Sequence, residues 1–259
     1  AEPVPPPTPP VDFIDTSFEN ASPLWYEFAE DGTVIVNLNY DQERLSPNRA
    51  AGHFHFRIQA AKGRKITLEL RNLANVWNSK AGSVAKEIKQ VVISQDGKNW
   101  TPVPTESPEE GRVLVTLEMP GDSLFVARAE PYRVSDLNRF LDEIKASPLV
   151  KVTTIGKTVQ GRDLEIIRVG KDDAPNHVFI RARAHPWEPV GNWVVEGLVR
   201  RLLRGDAEAQ KCLALYNVCI LPMANKDGVE RGGTRFNLGG WDLNRKWDKP
   251  ADPNLAPEN

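Results

Sequence analysis

The chain has 259 residues, 40% of them hydrophobic and 26% charged, with a net charge of −2, which excludes wholesale disorder. No apolar run approaches the ~20 residues needed to cross a bilayer, and the near-neutral balance gives no support to a nucleic-acid or anionic-membrane partner. Its 2 cysteines cannot make a disulfide scaffold or a four-cysteine zinc site. Residues 1–11 form a proline-rich leader that can adopt neither a helix nor a central strand. An Ala-Glu-Pro start ahead of a proline linker is what signal peptidase leaves behind. A periplasmic or secreted location is therefore expected, with the cytoplasm as the alternative.

Residues 12–130 are expected to form an antiparallel β-sandwich. Short alternating or β-branched runs at 34–38, 54–58, 66–70, 91–94 and 113–117 are separated by Gly, Asn, Asp and Pro, with Asp31-Gly32 and Asp96-Gly97 as turn dipeptides. Alternation along 53–58 predicts that Phe54, Phe56 and Ile58 enter the core. His53, His55 and Arg57 are placed on a solvent face, with no third metal ligand nearby.

After Pro131 the pattern changes. Leu137, Phe140, Leu141 and Ile144 predict a helix over 134–146 with Ser135 as N-cap. Strands are expected at 149–156, 164–170 and 177–183, the first two joined by a turn at Gln160-Gly161. Helices at 190–204 and 206–213 follow, then a strand at 214–221 whose continuous apolar run predicts burial on both faces. This order describes an α/β layered domain over 131–259, so the fold class is multidomain, β followed by α/β. Cys212 and Cys219 sit in apolar contexts and read as free thiols.

His185-Pro-Trp-Glu188 follows the 177–183 strand directly, with Pro189 suited to the first turn of the next helix. A three-residue spacing in a loop can aim an imidazole nitrogen and a carboxylate oxygen at one cation, in the crevice beyond a strand's carboxyl end. Alone the signal is weak, because a surface His and a helix-start Glu explain it equally well. A positive excess over residues 175–250 favours an anionic ligand.

Context sharpens the reading. Gly161-Arg162, His185-Pro186 with Glu188, Asn225 with Asp227-Gly228, Arg235 and Asp242-Leu-Asn-Arg245 occur in that order. Together they resemble the zinc carboxypeptidases, most closely the cytosolic-carboxypeptidase-like subgroup with an added N-terminal β-sandwich. Residues 54–58, 92–100 and 129–132 look like that subgroup's sandwich and its exit. The resemblance implies an N-terminal sandwich followed by the first part of a mixed-sheet α/β carboxypeptidase domain. It implies zinc held by His185 and Glu188, with Asp242 accepting the second ring N–H of His185. It further implies that Asn244 and Arg245 grip the substrate's terminal carboxylate. The resemblance also implies that Arg235 is the catalytic residue, stabilising the oxyanion as zinc-activated water attacks. Trp187 stands where the subgroup has Gly and Lys226 where it has Pro, which bears on specificity more than on zinc binding.

The third zinc ligand and the glutamate base of the family have no counterpart, since no His follows His185 and His177 would have to fold back to reach the metal. The segment 248–259 reads as a loop inside a domain. The chain is therefore expected to be part of a longer protein, inactive alone and completed by a C-terminal fragment of the same protein. The expected activity is zinc-dependent hydrolysis of a C-terminal peptide or isopeptide bond, acidic terminal residues preferred. The substrate partner is thus a peptide or protein C-terminus. The alternatives are an acyl-amino-acid deacylase with a similar zinc site, or an inactive peptidase-like protein whose sandwich binds a partner through Trp25, Tyr26, Trp77 or Trp100.

Overall fold

The computed structural model describes residues 8–109, 111–245, 247, 248, 250, 252–254 and 256–259; most of the proline leader, residues 1–7, lies outside the described residues. The chain divides into two compact units, Ala1–Tyr40 with Pro47–Glu130, and Asp41–Ser46 with Pro131–Asn259.

The strands of the first unit are β1 (Phe13–Asp15), β2 (Leu24–Phe28), β3 (Val34–Leu38), β5 (Arg49–Ala50), β6 (His55–Gln59), β7 (Lys65–Arg71), β8 (Ala74–Trp77), β9 (Lys80–Ser83), β10 (Gln90–Ser94), β11 (Thr101–Pro104), β12 (Val113–Glu118) and β13 (Ser123–Ala127). The two-residue β4 (Asp41–Gln42) lies between β3 and β5 in sequence and belongs to the second unit. The two larger sheets run β1-β6-β13-β10-β11 and β12-β7-β3-β2, and β5, β8 and β9 pair in a smaller one. Phe56 and Ile58 of β6, Val126 of β13, and Ile66, Leu68 and Leu70 of β7 are buried, the alternation expected of a two-layer sandwich.

Two expectations for this unit are corrected. The sandwich is not wholly antiparallel, because β3 and β7 pair in parallel, Val34 opposite Leu68. The chain leaves β3, contributes β6 to the other sheet and returns as β7, and such a crossover permits parallel pairing. The histidines do not face solvent either: His53 is 9% and His55 2% exposed. Phe18 and Trp100 pack edge-on against the His55 ring at centroid distances of 4.9 and 5.6 Å, and Asn20 Oδ1 lies 3.2 Å from its Nδ1. Strand alternation puts His55 on the second face of β6 but does not reveal that aromatic side chains cover that face.

The second unit comprises α1 (Val134–Ile144), β14 (Val150–Lys157), β15 (Asp163–Val169), β16 (Asn176–Arg181), α2 (Val190–Leu202), α3 (Ala207–Leu215), β17 (Tyr216–Leu221) and α4 (Lys226–Glu230), besides β4. Its sheet has the order β14-β15-β17-β16, antiparallel except for the parallel β16–β17 pair. Leu137, Phe140 and Ile144 of α1 and Val195, Val199 and Leu202 of α2 pack with Ile167, Val169, Val218 and Ile220 of the sheet in one core. Leu221 enters a second cluster with Ile166 and Ala224, so the apolar run of β17 is explained by burial on both faces. Burying each such side chain contributes roughly 1.5–3 kcal/mol. At the edge, β16 leaves Phe179 62% exposed. Cys212 and Cys219 are free thiols, both half-buried.

Three local expectations are revised here. Ser135 does not cap α1; Arg133 takes that position, its backbone N–H donating to Asp136 Oδ2 at 2.7 Å. Asp136 three residues on closes the box, the role that Ser135, already inside the helix, cannot play. Asp206 caps α3 by accepting from Ala209 N at 3.0 Å, and the helix runs on to Leu215. The stretch after β17 is not a simple turn. Asn225 Oδ1 accepts from Gly228 N at 3.0 Å and starts the single turn of α4.

Candidate active site

The parallel ends of β16 and β17 keep pairing beyond the strands, through Ala182 N to Leu221 O (2.9 Å) and Asn225 N to Arg183 O (3.0 Å). Arg183 then turns the chain with φ +56°, a left-handed conformation uncommon for a side-chain-bearing residue. Its buried guanidinium holds the loop that follows from inside. Nε donates to Pro186 O and Nη1 to Asn192 Oδ1, both at 2.8 Å, and Asn192 Nδ2 donates to Pro222 O at 2.7 Å. The loop closes as Glu188 N donates to His185 O at 3.3 Å, and α2 begins after Pro189.

In this loop His185 Nδ1 lies 2.8 Å from Glu188 Oε1, and Nε2 lies 3.0 Å from Asp242 Oδ1. Asp242 Oδ2 accepts from Arg235 Nε at 2.8 Å, and its Oδ1 also accepts from Asn244 N at 2.9 Å. Asp242 is the centre of this network, its side chain 1% exposed against 53% for Glu188. Burial works against the Asp242 carboxylate, yet the His185 hydrogen bond, the Asn244 N–H and the Arg235 charge bring its pKa down to about 2. Burial also opposes the His185 cation, but its two carboxylate acceptors raise the imidazole above its ordinary value. Glu188 is lowered: burial is outweighed by the His185 hydrogen bond and the charges of His185 and Arg235.

The structure thus brings together His185, Glu188, Asp242 and Arg235. Asn244 and Arg245 lie on the same loop, exposed, with Arg245 Nη1 donating to Asn244 O at 2.8 Å. Trp187, between His185 and Glu188, is half-buried, and its main-chain N–H donates to Thr234 O at 3.2 Å. The donor chemistry of the His185–Glu188 pair fits two positions of a zinc centre, a nitrogen and an oxygen converging with the second ring nitrogen already engaged. Among the described residues no group of three or more His, Cys, Asp or Glu is placed to hold a metal. His177, on β16, is exposed. Of the sandwich aromatics, Trp25 is 52% exposed while Trp100 packs on His55 and Phe125.

The roles of several supporting residues are not legible in the sequence. Asp227, fully buried, accepts from Thr158 Oγ1 (2.8 Å), Gln160 N (2.9 Å) and Arg162 Nη1 (2.7 Å), anchoring the β14–β15 turn beside α4. The Gly161-Arg162 and Asp227-Gly228 motifs therefore meet. Lys226 is 2% exposed and forms an ion pair with Glu165, so it is a buried structural cation, unlike the turn residue expected there. Asp41 binds the backbone of Thr234, Arg235 and Phe236, and no spacing in the sequence signals it.

A family model described as "Zinc carboxypeptidase" matches residues 137–258, and one described as "Cytosolic carboxypeptidase N-terminal domain" matches residues 14–128. Cytosolic carboxypeptidase 6 of Caenorhabditis elegans is 33% identical over 140 residues, covering 51% of this chain and 30% of its own length. Cytosolic carboxypeptidase 2 of Danio rerio is 30% identical over 156 residues, 54% of this chain and 22% of its own. The crystal structure of a metallo-carboxypeptidase from Burkholderia cenocepacia superposes with a TM-score of 0.83 at 27% identity, covering 95% of this chain and 64% of that one. The metallo-carboxypeptidase from Pseudomonas aeruginosa in complex with (2-guanidinoethylmercapto)succinic acid gives 0.83 at 29%, with the same two coverages. The chain thus spans less than a third of these curated relatives and under two thirds of these solved structures. No helix among the described residues is long and apolar enough to cross a membrane. This chain belongs to the zinc carboxypeptidase family, with a cytosolic-carboxypeptidase N-terminal domain ahead of a mixed α/β carboxypeptidase-like domain.

Proposed function

We propose that this chain carries part of the active site of a zinc metallocarboxypeptidase that removes a C-terminal residue from a peptide or protein. The observation that carries the reading is the His185 ring set between Glu188 and Asp242, with Arg235 on the far side of Asp242. His185 Nδ1 and Glu188 are the atoms that would hold zinc, which when bound supplies Lewis acidity for amide hydrolysis. With zinc bound, Asp242 would keep the proton on His185 Nε2 and so leave the Nδ1 lone pair for the metal. Arg235 keeps a fixed positive charge at the site, suited to an oxygen that gains negative charge during acyl transfer. Asn244 and Arg245 offer an amide and a planar two-pronged donor to a free carboxylate. The positive excess of the segment favours an acidic terminal side chain. The names of the curated relatives favour the cytoplasm over export, and fractionation of cells expressing the protein checks this.

The test is release of a C-terminal amino acid by the full-length protein loaded with zinc. Expected are dependence on the metal, loss with Glu188→Ala, and faster release of Glu than of neutral residues. A metal-loaded full-length preparation that releases nothing from a panel of peptides overturns the reading.

A further inference from the structure

Residues 234–243 form no helix or strand, yet they carry Arg235 and Asp242. Their backbone is fixed by other means. At one end Asp41 Oδ2 accepts from three successive N–H groups, Thr234 (3.1 Å), Arg235 (2.5 Å) and Phe236 (2.8 Å). Successive main-chain donors around one anion make a nest, and here the anion is a side chain of the protein. In the middle Asn237 Oδ1 accepts from Gly239 N (3.0 Å) and Trp241 N (2.9 Å). At the far end Arg44 N donates to Gly240 O at 2.8 Å. Gly240 has φ +79°, and a Cβ there would lie 2.9 Å from Arg44 N, so the two backbones approach as closely as glycine permits. Asp41–Ser46 therefore holds the loop at both ends, within the unit to which both belong.

The grip bears on the site through Arg235. Its main-chain nitrogen is held by Asp41 while its Nε donates to Asp242 Oδ2, and Asp242 Oδ1 faces His185. A guanidinium delivered from an anchored backbone loses less rotational freedom on pairing than one on a loose loop. We infer that Asp41 is a positioning residue that sets the backbone of 234–236 and thereby aims the Arg235 guanidinium at Asp242. Its consequence for ligand binding rests on the carboxypeptidase reading; the backbone role does not.

The test uses the full-length protein as wild type, Asp41→Ala, Asp41→Asn and, as a destabilised control away from the loop, Leu213→Ala. Amide hydrogen exchange at 234–236 and the Arg235 Nε–H resonance are followed by NMR. Binding of (2-guanidinoethylmercapto)succinic acid is titrated in the presence of zinc. Asp41→Ala is expected to speed exchange at 234–236 about tenfold, shift the Arg235 resonance and weaken probe binding about tenfold. Asp41→Asn, which keeps an acceptor without the charge, falls between it and wild type. Leu213→Ala lowers Tm yet leaves the Arg235 resonance in place. Unchanged exchange and resonance in Asp41→Ala overturn the assignment, as does an equal change in Leu213→Ala. Should Asp41→Ala not fold, Asp41→Asn decides by the same two signals. A wild type that ignores the probe while the graded exchange holds sinks the carboxypeptidase reading and leaves the Asp41 role standing.

Discussion

His185 presents both ring nitrogens to carboxylates at once, Nε2 3.0 Å from Asp242 and Nδ1 2.8 Å from Glu188. The two contacts differ in kind. Asp242 is buried and receives Arg235 Nε and Asn244 N besides the imidazole, so it is fixed; Glu188 is half in solvent and free to serve another partner. Asp242→Asn preserves shape and removes the charge that stabilises the Nε2–H. It is expected to weaken zinc binding by about 10–100-fold. Calorimetric titration of zinc into the two proteins measures this directly, and equal affinities would mean that Asp242 does not orient the ring.

Gly228 is the point where α4 touches the ligand loop. A Cβ placed there would lie 2.4 Å from Pro186 Cγ and 2.6 Å from Asn225 Oδ1. Neither neighbour is the loose end of a flexible chain, since Asn225 Oδ1 is the cap of α4 and Pro186 adjoins His185. Gly228→Ala should therefore cost about 1–3 kcal/mol, as overpacking does. It should also lower zinc affinity by moving Pro186, an effect that a stability loss elsewhere of the same size does not produce. Urea unfolding paired with zinc titration checks both halves.

Much of this arrangement is legible in the sequence. The apolar run of β17 announces a central strand and the spacing of Leu137, Phe140, Leu141 and Ile144 announces α1, while the His185–Glu188 spacing is weak alone and gains meaning only from the ordered motifs around it. Other features were hidden for identifiable reasons. Asp227-Gly228 looks like a turn because nothing local says that the Asp227 carboxylate is taken by Thr158, Gln160 and Arg162, some 65 or more positions earlier. The burial of His55 depends on Phe18 and Trp100 arriving from other segments. Asp41 acts on a loop 193 positions away, a separation over which sequence spacing carries no geometric information.

The acid limb of stability has an identifiable contributor in Asp136. The buried carboxylate accepts from Arg133 N (2.7 Å) and Arg133 Nε (2.9 Å) and pairs with Arg139. Burial alone would raise its pKa, but the hydrogen bonds and charge of Arg133, joined by Arg139, hold it below the ordinary 3.8. Because the folded value lies under the unfolded one, the stabilisation is complete above pH ~4 and disappears as pH falls through the folded value. Glu258, raised chiefly by burial, works in the opposite sense and gains stability on protonation. Asp136→Asn should thus lower stability by about 1–3 kcal/mol at neutral pH. It should have less effect at pH ~2, where the wild-type carboxyl is increasingly protonated. Urea midpoints of both proteins at the two pH values measure the difference, and a constant gap would contradict the assignment.

Arg183 makes the sharpest demand on side-chain identity. It is 3% exposed, and its guanidinium is shared between Pro186 O and Asn192 Oδ1, with no carboxylate paired to it among the described residues. Burial pushes its pKa down to about 9, which leaves it charged at neutral pH. A buried cation without a paired anion is expensive, so its presence is explained by what two divergent N–H groups do that one ammonium cannot. Nε fixes the carbonyl between His185 and Glu188, while Nη1 fixes the start of α2 through Asn192. Arg183→Lys keeps the charge but can reach only one of the two acceptors, leaving the other buried and unpaired. The expected loss is about 2–4 kcal/mol, accompanied by faster amide exchange at Trp187 and Glu188. Arg183→Met removes the burial penalty of the cation and both donations together. It should therefore be less destabilised than Arg183→Lys while loosening the same loop. If Lys is tolerated within about 0.5 kcal/mol and exchange at Trp187 is unchanged, the two-pronged grip is not what holds this turn.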